Sequence, residues 1–324
     1  MVTSMNKYES NLANGINGFI SFKRSLGYKY TNKDYYLSFI DKANLELGNY
    51  DYLSKEVLEK TICSINSNCI SLNRSYISML RELSKYLNNI DHKSYIVPIT
   101  YTIKKYHAQV YLFSNEEISK FFKTLKSLVK QSNHKPNLLV LEATFTFLYS
   151  CGARCIEARL VETKDVYLNE GYLIIRNSKN HNDRKLFLTD ELITIFKEYD
   201  RKLSIYVKDR QYFFSYHEHS YQSSTFISSN FKHIWKQAGF TLDTKPKPRA
   251  YDFRHHFACA NIMKWMDEEK DVHALLPYLM TYMGHSDLKS TYYYVHLIPE
   301  FINKYNDLSS ISNKIVPEVE DYEI

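Results

Sequence analysis

The helical periodicity of the first ninety residues stops at DHKSYIVPITYTIKKYHAQVYLF, residues 91–113. Pro98 has no amide hydrogen to give and disfavours helix at the residue before it, and the β-branched and aromatic residues around it prefer extended chain. A 324-residue chain interrupted in this way folds as two bodies rather than as one continuous bundle. The expected division is a helical domain over 1–92, a linker over 93–113, a second domain over 114–310 and an acidic tail over 311–324, ending PEVEDYEI.

Before the break, INGFISFKRSL, TNKDYYLSFIDKANLEL, SKEVLEKTICSI and LNRSYISMLRELSKYL each carry apolar residues at three- and four-residue spacing, with Gly27 and Gly48 between them. After it, Ser114 and Glu117 have capping-box spacing and open a new helix. GYLIIRNSKNHNDRKLFLT alternates like a β-hairpin around a long polar turn that holds Lys179. Thr189 caps ELITIFKEYDRKL, a further helix runs through SSNFKHIWKQAGF, and TKPKPRAYDFRHHFACANIMKWM passes from a basic, proline-broken loop into a helix. The fold class is mainly α with a small antiparallel β-sheet: an α-helical domain, then a mixed α/β domain.

Lysine and arginine outnumber the acids by 42 to 36, a net charge of +6 that permits a nucleic-acid partner. The cysteines at 63, 69, 151, 155 and 259 form no CxxC pair, which fits a reduced compartment; Cys151 and Cys155, spaced to share a helix face, read as small buried residues rather than metal ligands. MVTSMNKYESN lacks the apolar core of a signal peptide, and nowhere do about 18 apolar residues run together. The expectation is a cytoplasmic protein with no membrane partner.

Taken singly, Arg154, Lys179, Arg254 and His285 are ordinary polar residues. Their surroundings distinguish them: CGARCIEARL sets an arginine directly after a glycine, YDFRHHFA sets one inside an aromatic helix start, and MGHS sets a histidine after a glycine. Arginines among apolar residues need an anion. Behind the Gly-His pair, TYMGHSDLKSTYYYVH carries Tyr292, Tyr293 and Tyr294 in a row. On a helix these point about 100° apart, so at most one faces a given site.

These boxes resemble those of the tyrosine recombinase (phage integrase) family. CGARCIEARL is similar to the family's first arginine box, which places Arg154 and Glu157 at its arginine and acidic positions. Lys179 resembles the family's hairpin lysine, and YDFRHHFA its His-x-x-Arg-His box, with Arg254 as the second arginine. Tyr251 stands where that box has its first histidine, and a phenol can donate a hydrogen bond there but cannot carry an imidazolium charge near neutral pH. MGHSDLKSTYYYVH resembles the final box, in which the nucleophile follows the histidine by nine residues; from His285 that count lands on Tyr294. Tyr293 is the runner-up, and Tyr292, spaced with Leu288 and Val295, reads as core. His255 matches a family histidine of structural role, and His256 stands where a small polar residue is common.

The resemblance covers almost the whole chain and implies chemistry. Arg154 and Arg254 would clamp the nonbridging oxygens of a phosphodiester, Tyr294 would attack and become a 3′-phosphotyrosine, and Lys179 would protonate the departing 5′ oxygen. His285 would bond the phosphate or the nucleophile, Tyr251 would stand in for the box histidine, and Glu157 would orient its basic neighbours. No metal or other cofactor is needed, because the phosphotyrosine bond retains the energy of the broken linkage. The implied partners are double-stranded DNA recombination sites, held as by a clamp, a homotetramer on DNA formed from free monomers, and accessory DNA-bending or directionality proteins. In that assembly LIPEFINKYNDLSSI, residues 297–311, is expected to dock on a neighbouring subunit. The alternatives are a type IB topoisomerase-like strand transferase, or a DNA-binding or architectural protein whose site has decayed.

Overall fold

The computed structural model describes residues 8–28, 30, 34–64, 70–91, 93–99, 109–132, 135–176 and 183–298. The chain divides into two compact units, Met1–Ala108 and Gln109–Ile324.

The first unit holds α1 (Ala13–Ser25), α2 (Asp34–Leu47), α3 (Lys55–Ser64) and α4 (Ile70–Asp91). Its core gathers Ile16, Phe19, Leu37, Val57, Leu80 and Leu83, the apolar stripes of the four helices. Helix α1 lies close on α4 because Gly15 and Gly18 have no side chain: a Cβ at Gly15 would stand 2.5 Å from Leu87 Cδ2. Residues 93–99 belong to this packing. Val97 is buried, Tyr95 N–H donates to the Leu53 carbonyl at 2.8 Å, and Arg81 donates to the Val97 and Pro98 carbonyls. At its other end the expected linker is again core, with Tyr111, Leu112 and Phe113 buried in the second unit; residues 100–108 lie outside the described residues.

The second unit is built around α6 (Pro136–Cys151), whose buried residues fall on every face and pack against α5 (Asn115–Gln131), α8 (Asp190–Leu203) and α10 (Asp252–Asp267). Both halves of the capping box at Ser114 and Glu117 form, at 3.2 and 2.8 Å, and the Thr189 hydroxyl accepts from Leu192 N–H. An aromatic cluster of Phe113, Phe121, Phe145, Phe231, Trp235 and Phe253 joins α9 (Phe226–Gln237) to this core. The sheet has three antiparallel strands in the order β1 (Val166–Tyr167), β2 (Tyr172–Ile175), β3 (Arg184–Phe187). Ile175 pairs with Arg184 at the mouth of the hairpin, whose turn, with Lys179, lies outside the described residues. A second cluster packs α10 against α11 (Val272–Met283) and α12 (Lys289–Val295).

One local reading fails. Cys151 and Cys155 do not share a helix: α6 ends at Gly152, whose φ is +57°, and α7 (Cys155–Leu160) starts afresh. Among the described residues no group of three or more His, Cys, Asp or Glu is placed to hold a metal.

Candidate active site

Two glycine turns build the site. Gly152 closes α6 and Gly284 closes α11, both in the left-handed region that favours glycine. The carbonyls around them aim at arginines. Gly152 accepts from Arg254 Nη1 at 2.7 Å, Met283 from Arg254 Nη2 at 2.6 Å, and Gly284 from Arg154 Nη2 at 2.8 Å. A side chain at either glycine would force its neighbour to move. A Cβ at Gly152 would stand 2.4 Å from the Phe257 ring, and one at Gly284 2.9 Å from Arg184 Nη1.

Glu157 ties the arginines together. It is the third residue of α7 and accepts the Arg154 backbone N–H at 2.8 Å, so its carboxylate caps the helix at whose start Arg154 stands. Its Oε1 also takes Arg154 Nη1 at 2.7 Å, and both oxygens take Arg184, at 3.0 and 2.9 Å. Burial works to raise this carboxyl, but Arg184, by bond and charge, and the Arg154 amide outweigh it and hold it at about 2. Two guanidiniums therefore bond one carboxylate, and the charge of Arg254 adds to theirs, an excess of positive charge suited to an oxyanion.

His285 joins this centre to α12. Arg254 Nη2 lies 3.0 Å from its Nε2, and His285 Nδ1 lies 2.9 Å from Thr291 Oγ1. A guanidinium can only donate, so Nε2 accepts, and in the neutral ring the proton sits on Nδ1 and goes to Thr291. Burial and then the charges of Arg254 and Arg154 lower this imidazole to about 4, which keeps it neutral at pH 7. Three residues beyond the fully buried Thr291, the Tyr294 ring stacks on His285 with centroids 6.0 Å apart and planes at 18°. Tyr294 is 3% exposed; burial raises its phenol well above the ordinary value, and Arg254 works in the opposite direction.

The neighbouring tyrosines stand differently. Tyr293 is 39% exposed, and the Tyr292 hydroxyl lies 3.3 Å from His273 Nδ1 while its ring is half-buried against the α10–α12 core. Tyr251, just before α10, is largely exposed and meets the His255 ring edge to face at 5.1 Å. His255 in turn lies 5.6 Å from the Tyr294 ring, and burial lowers its imidazole to about 4. His256 is buried and stacks on Tyr149 at 5.6 Å, away from the arginines. In the basic loop, Lys245 and Lys247 are exposed, while Arg249 forks onto Asp252 at 2.8 and 3.2 Å.

The structure thus brings Arg154, Glu157, Arg254, His285 and Tyr294 into one cluster with Tyr251 at its rim, and Lys179 lies outside the described residues. Sequence reasoning missed Arg184 and Thr291. The only signal for Arg184 was an acid, Glu157, left with more acceptor capacity than one arginine fills, and nothing local pointed from there to a residue 27 positions on.

Residues 112–300 match the phage integrase family. Two proteins of Sinorhizobium fredii, each named an integrase/recombinase, are similar: y4rE at 31% identity over 160 residues, and y4rB at 24% identity over 302 residues. The first match takes in 48% of this chain and 51% of y4rE, so the chain spans about half of that protein's length. The second takes in 91% of this chain and 96% of y4rB. Among solved structures, a lambda integrase tetramer bound to a Holliday junction shares the fold, with a TM-score of 0.59 at 15% identity, over 87% of this chain and 79% of that one.

Proposed function

The chain belongs to the phage integrase family, and from that premise we propose that it is a site-specific DNA recombinase that cuts and rejoins strands through Tyr294. The observation that carries this reading is the stacking of a buried tyrosine on a neutral histidine that is itself bonded to a buried arginine. A phosphodiester bound between Arg154 and Arg254 would present phosphorus to that phenol. The tyrosine oxygen bonds to phosphorus as the 5′ oxygen leaves, giving a 3′-phosphotyrosine and a 5′ hydroxyl. Attack by another strand's 5′ hydroxyl then releases Tyr294 and seals the new linkage, so bond energy is conserved.

The proposed roles follow the chemistry. Arg154 and Arg254 hold the nonbridging oxygens and stabilise the added charge, which also favours the phenolate of Tyr294. Once a phosphate oxygen draws Arg254 away from Nε2, His285 can take the other neutral tautomer, with the Thr291 hydroxyl donating to Nδ1, and then donate to the phosphate through Nε2. Lys179 is the proposed donor to the 5′ oxygen, and Tyr251 the proposed hydrogen-bond donor at the rim. Glu157 orients the two arginines bonded to it. The proposed partner is duplex DNA, bound by a homotetramer assembled from monomers, and the fold shared with the lambda integrase tetramer supports that arrangement. No helix among the described residues is long and apolar enough to cross a membrane.

Tyr294→Phe tests the assignment. Incubated with a nicked duplex selected from a random pool by the wild-type protein, the variant should bind the DNA as tightly and form no covalent adduct, since one hydroxyl is removed. Peptide mapping of the wild-type adduct should place the DNA on Tyr294; attachment at Tyr293 would reassign the nucleophile.

A further inference from the structure

We infer that Arg184 is a positioning residue for the phosphate-binding centre: it holds the Glu157 carboxylate and the turn ending at Gly284, and through them sets the direction in which Arg154 presents its guanidinium. The inference rests on the recombinase reading above and adds to it a residue outside the family boxes.

Arg184 is the first residue of β3, the strand that leaves the hairpin turn, and its side chain is 7% exposed. Its Nε donates to the Tyr282 carbonyl at 2.8 Å, while Nη1 and Nη2 donate to the two oxygens of Glu157. The same guanidinium lies across Gly284, where any Cβ would meet it. Arg154 is held by two acceptors, Glu157 Oε1 and the Gly284 carbonyl, and Arg184 bears on both. It touches the supports of Arg154 and spends its own fork on them, so it acts through Arg154 rather than on a phosphate.

Arg184 also settles a competition. Glu157 is a buried anion with two oxygens, and one of them already takes Arg154. While Arg184 occupies both oxygens, Arg154 keeps one Nη on Glu157 and the other on Gly284. Without Arg184, Arg154 is the guanidinium left bonded to that carboxylate, and a two-oxygen ion pair between them would compete directly with phosphate.

This competition gives a signature that loss of packing lacks: removing Glu157 as well should restore what the loss of Arg184 takes away. The first measurement is binding of inorganic phosphate to the full-length free protein, followed by 31P NMR. Arg184→Gln should weaken it about tenfold, the scale of one charge-assisted contact, and Arg184→Gln with Glu157→Gln should recover most of the loss. The second measurement is adduct formation on the selected duplex, which Arg184→Gln should slow about 100-fold through misplacement of the phosphate, with duplex affinity unchanged and partial rescue in the double variant.

Phosphate affinity unchanged in Arg184→Gln, or no recovery in the double variant, overturns the inference. If Arg184→Gln does not fold, Arg184→Lys, which keeps charge but loses the fork, takes its place, alone and with Glu157→Gln. If wild type forms no adduct while the phosphate pattern holds, the recombinase reading falls and the role of Arg184 stands. An adduct without the pattern means the reverse.

Discussion

Arg254 is 1% exposed, yet its bonded partners carry no charge: two carbonyls, Gly152 and Met283, and the neutral ring of His285, with Nε left without an acceptor. Burial and the nearby Arg154 both work against its positive charge, but a guanidinium has no accessible neutral form. Carbonyls orient the cation without cancelling it, and that leaves Arg254 the uncompensated charge an incoming phosphate would meet. Desolvation acts with more effect on the histidines, which can shed a proton. His256 is lowered by burial to about 3. Its native pKa lies below the ordinary value near 6.5, so between these limits the unfolded chain takes a proton that the folded one refuses. The stability it contributes is complete above pH 6.5 and is lost as pH falls. In urea titrations of the full chain, His256→Gln should be less stable at pH 7 but should lose about 2 kcal/mol less than wild type between pH 7 and 5. Equal losses would show that His256 is protonated in the folded state.

At the scale of elements, the junction of α6 and α7 governs whether the site forms. Gly152 ends one helix, lends its carbonyl to Arg254 and leaves room for the Phe257 ring. Gly152→Ala should cost about 3 kcal/mol, combining a left-handed alanine with an overpacked contact, and should slow adduct formation because the same shift moves the Arg254 acceptor. A urea midpoint within error of wild type would show that the turn has another conformation open to it. This junction also marks where the sequence is readable and where it is not. Ser114 with Glu117 announced α5, and alternation announced the β2–β3 hairpin, because both signals are local. The four-residue spacing of Cys151 and Cys155 suggested one helix face, and the intervening glycine overrode it through its backbone angle. Arg184 and Thr291 escaped notice for a different reason: what defines them are bonds to Glu157 and His285, made only once β3, α7, α11 and α12 have packed.

For the molecule as a whole, charge and chemistry are unequally divided. Of the 42 basic and 36 acidic residues, 14 and 9 fall within residues 1–108, so that unit carries +5 of the net +6 in a third of the length. The second unit, close to neutral, holds the whole arginine, histidine and tyrosine cluster. Each unit also owns its core: Tyr8 through Val97 form one cluster, and the two clusters from Tyr111 through Ile298 lie wholly within the other. Phosphate neutralisation by basic residues supplies most non-specific affinity and makes it fall with salt. A chain comprising residues 109–324 should therefore fold on its own, with a cooperative helical melt by circular dichroism. It should still attach to the selected duplex through Tyr294 at high protein concentration. Its affinity at about 0.1 M salt should drop by about tenfold or more, and the slope of log affinity against log salt should become shallower, because the excess charge has been removed. An unfolded fragment would mean that the second unit depends on the first for its core. An unchanged affinity and slope would mean that the near-neutral catalytic unit makes the phosphate contacts by itself, through the site arginines and the exposed Lys245 and Lys247.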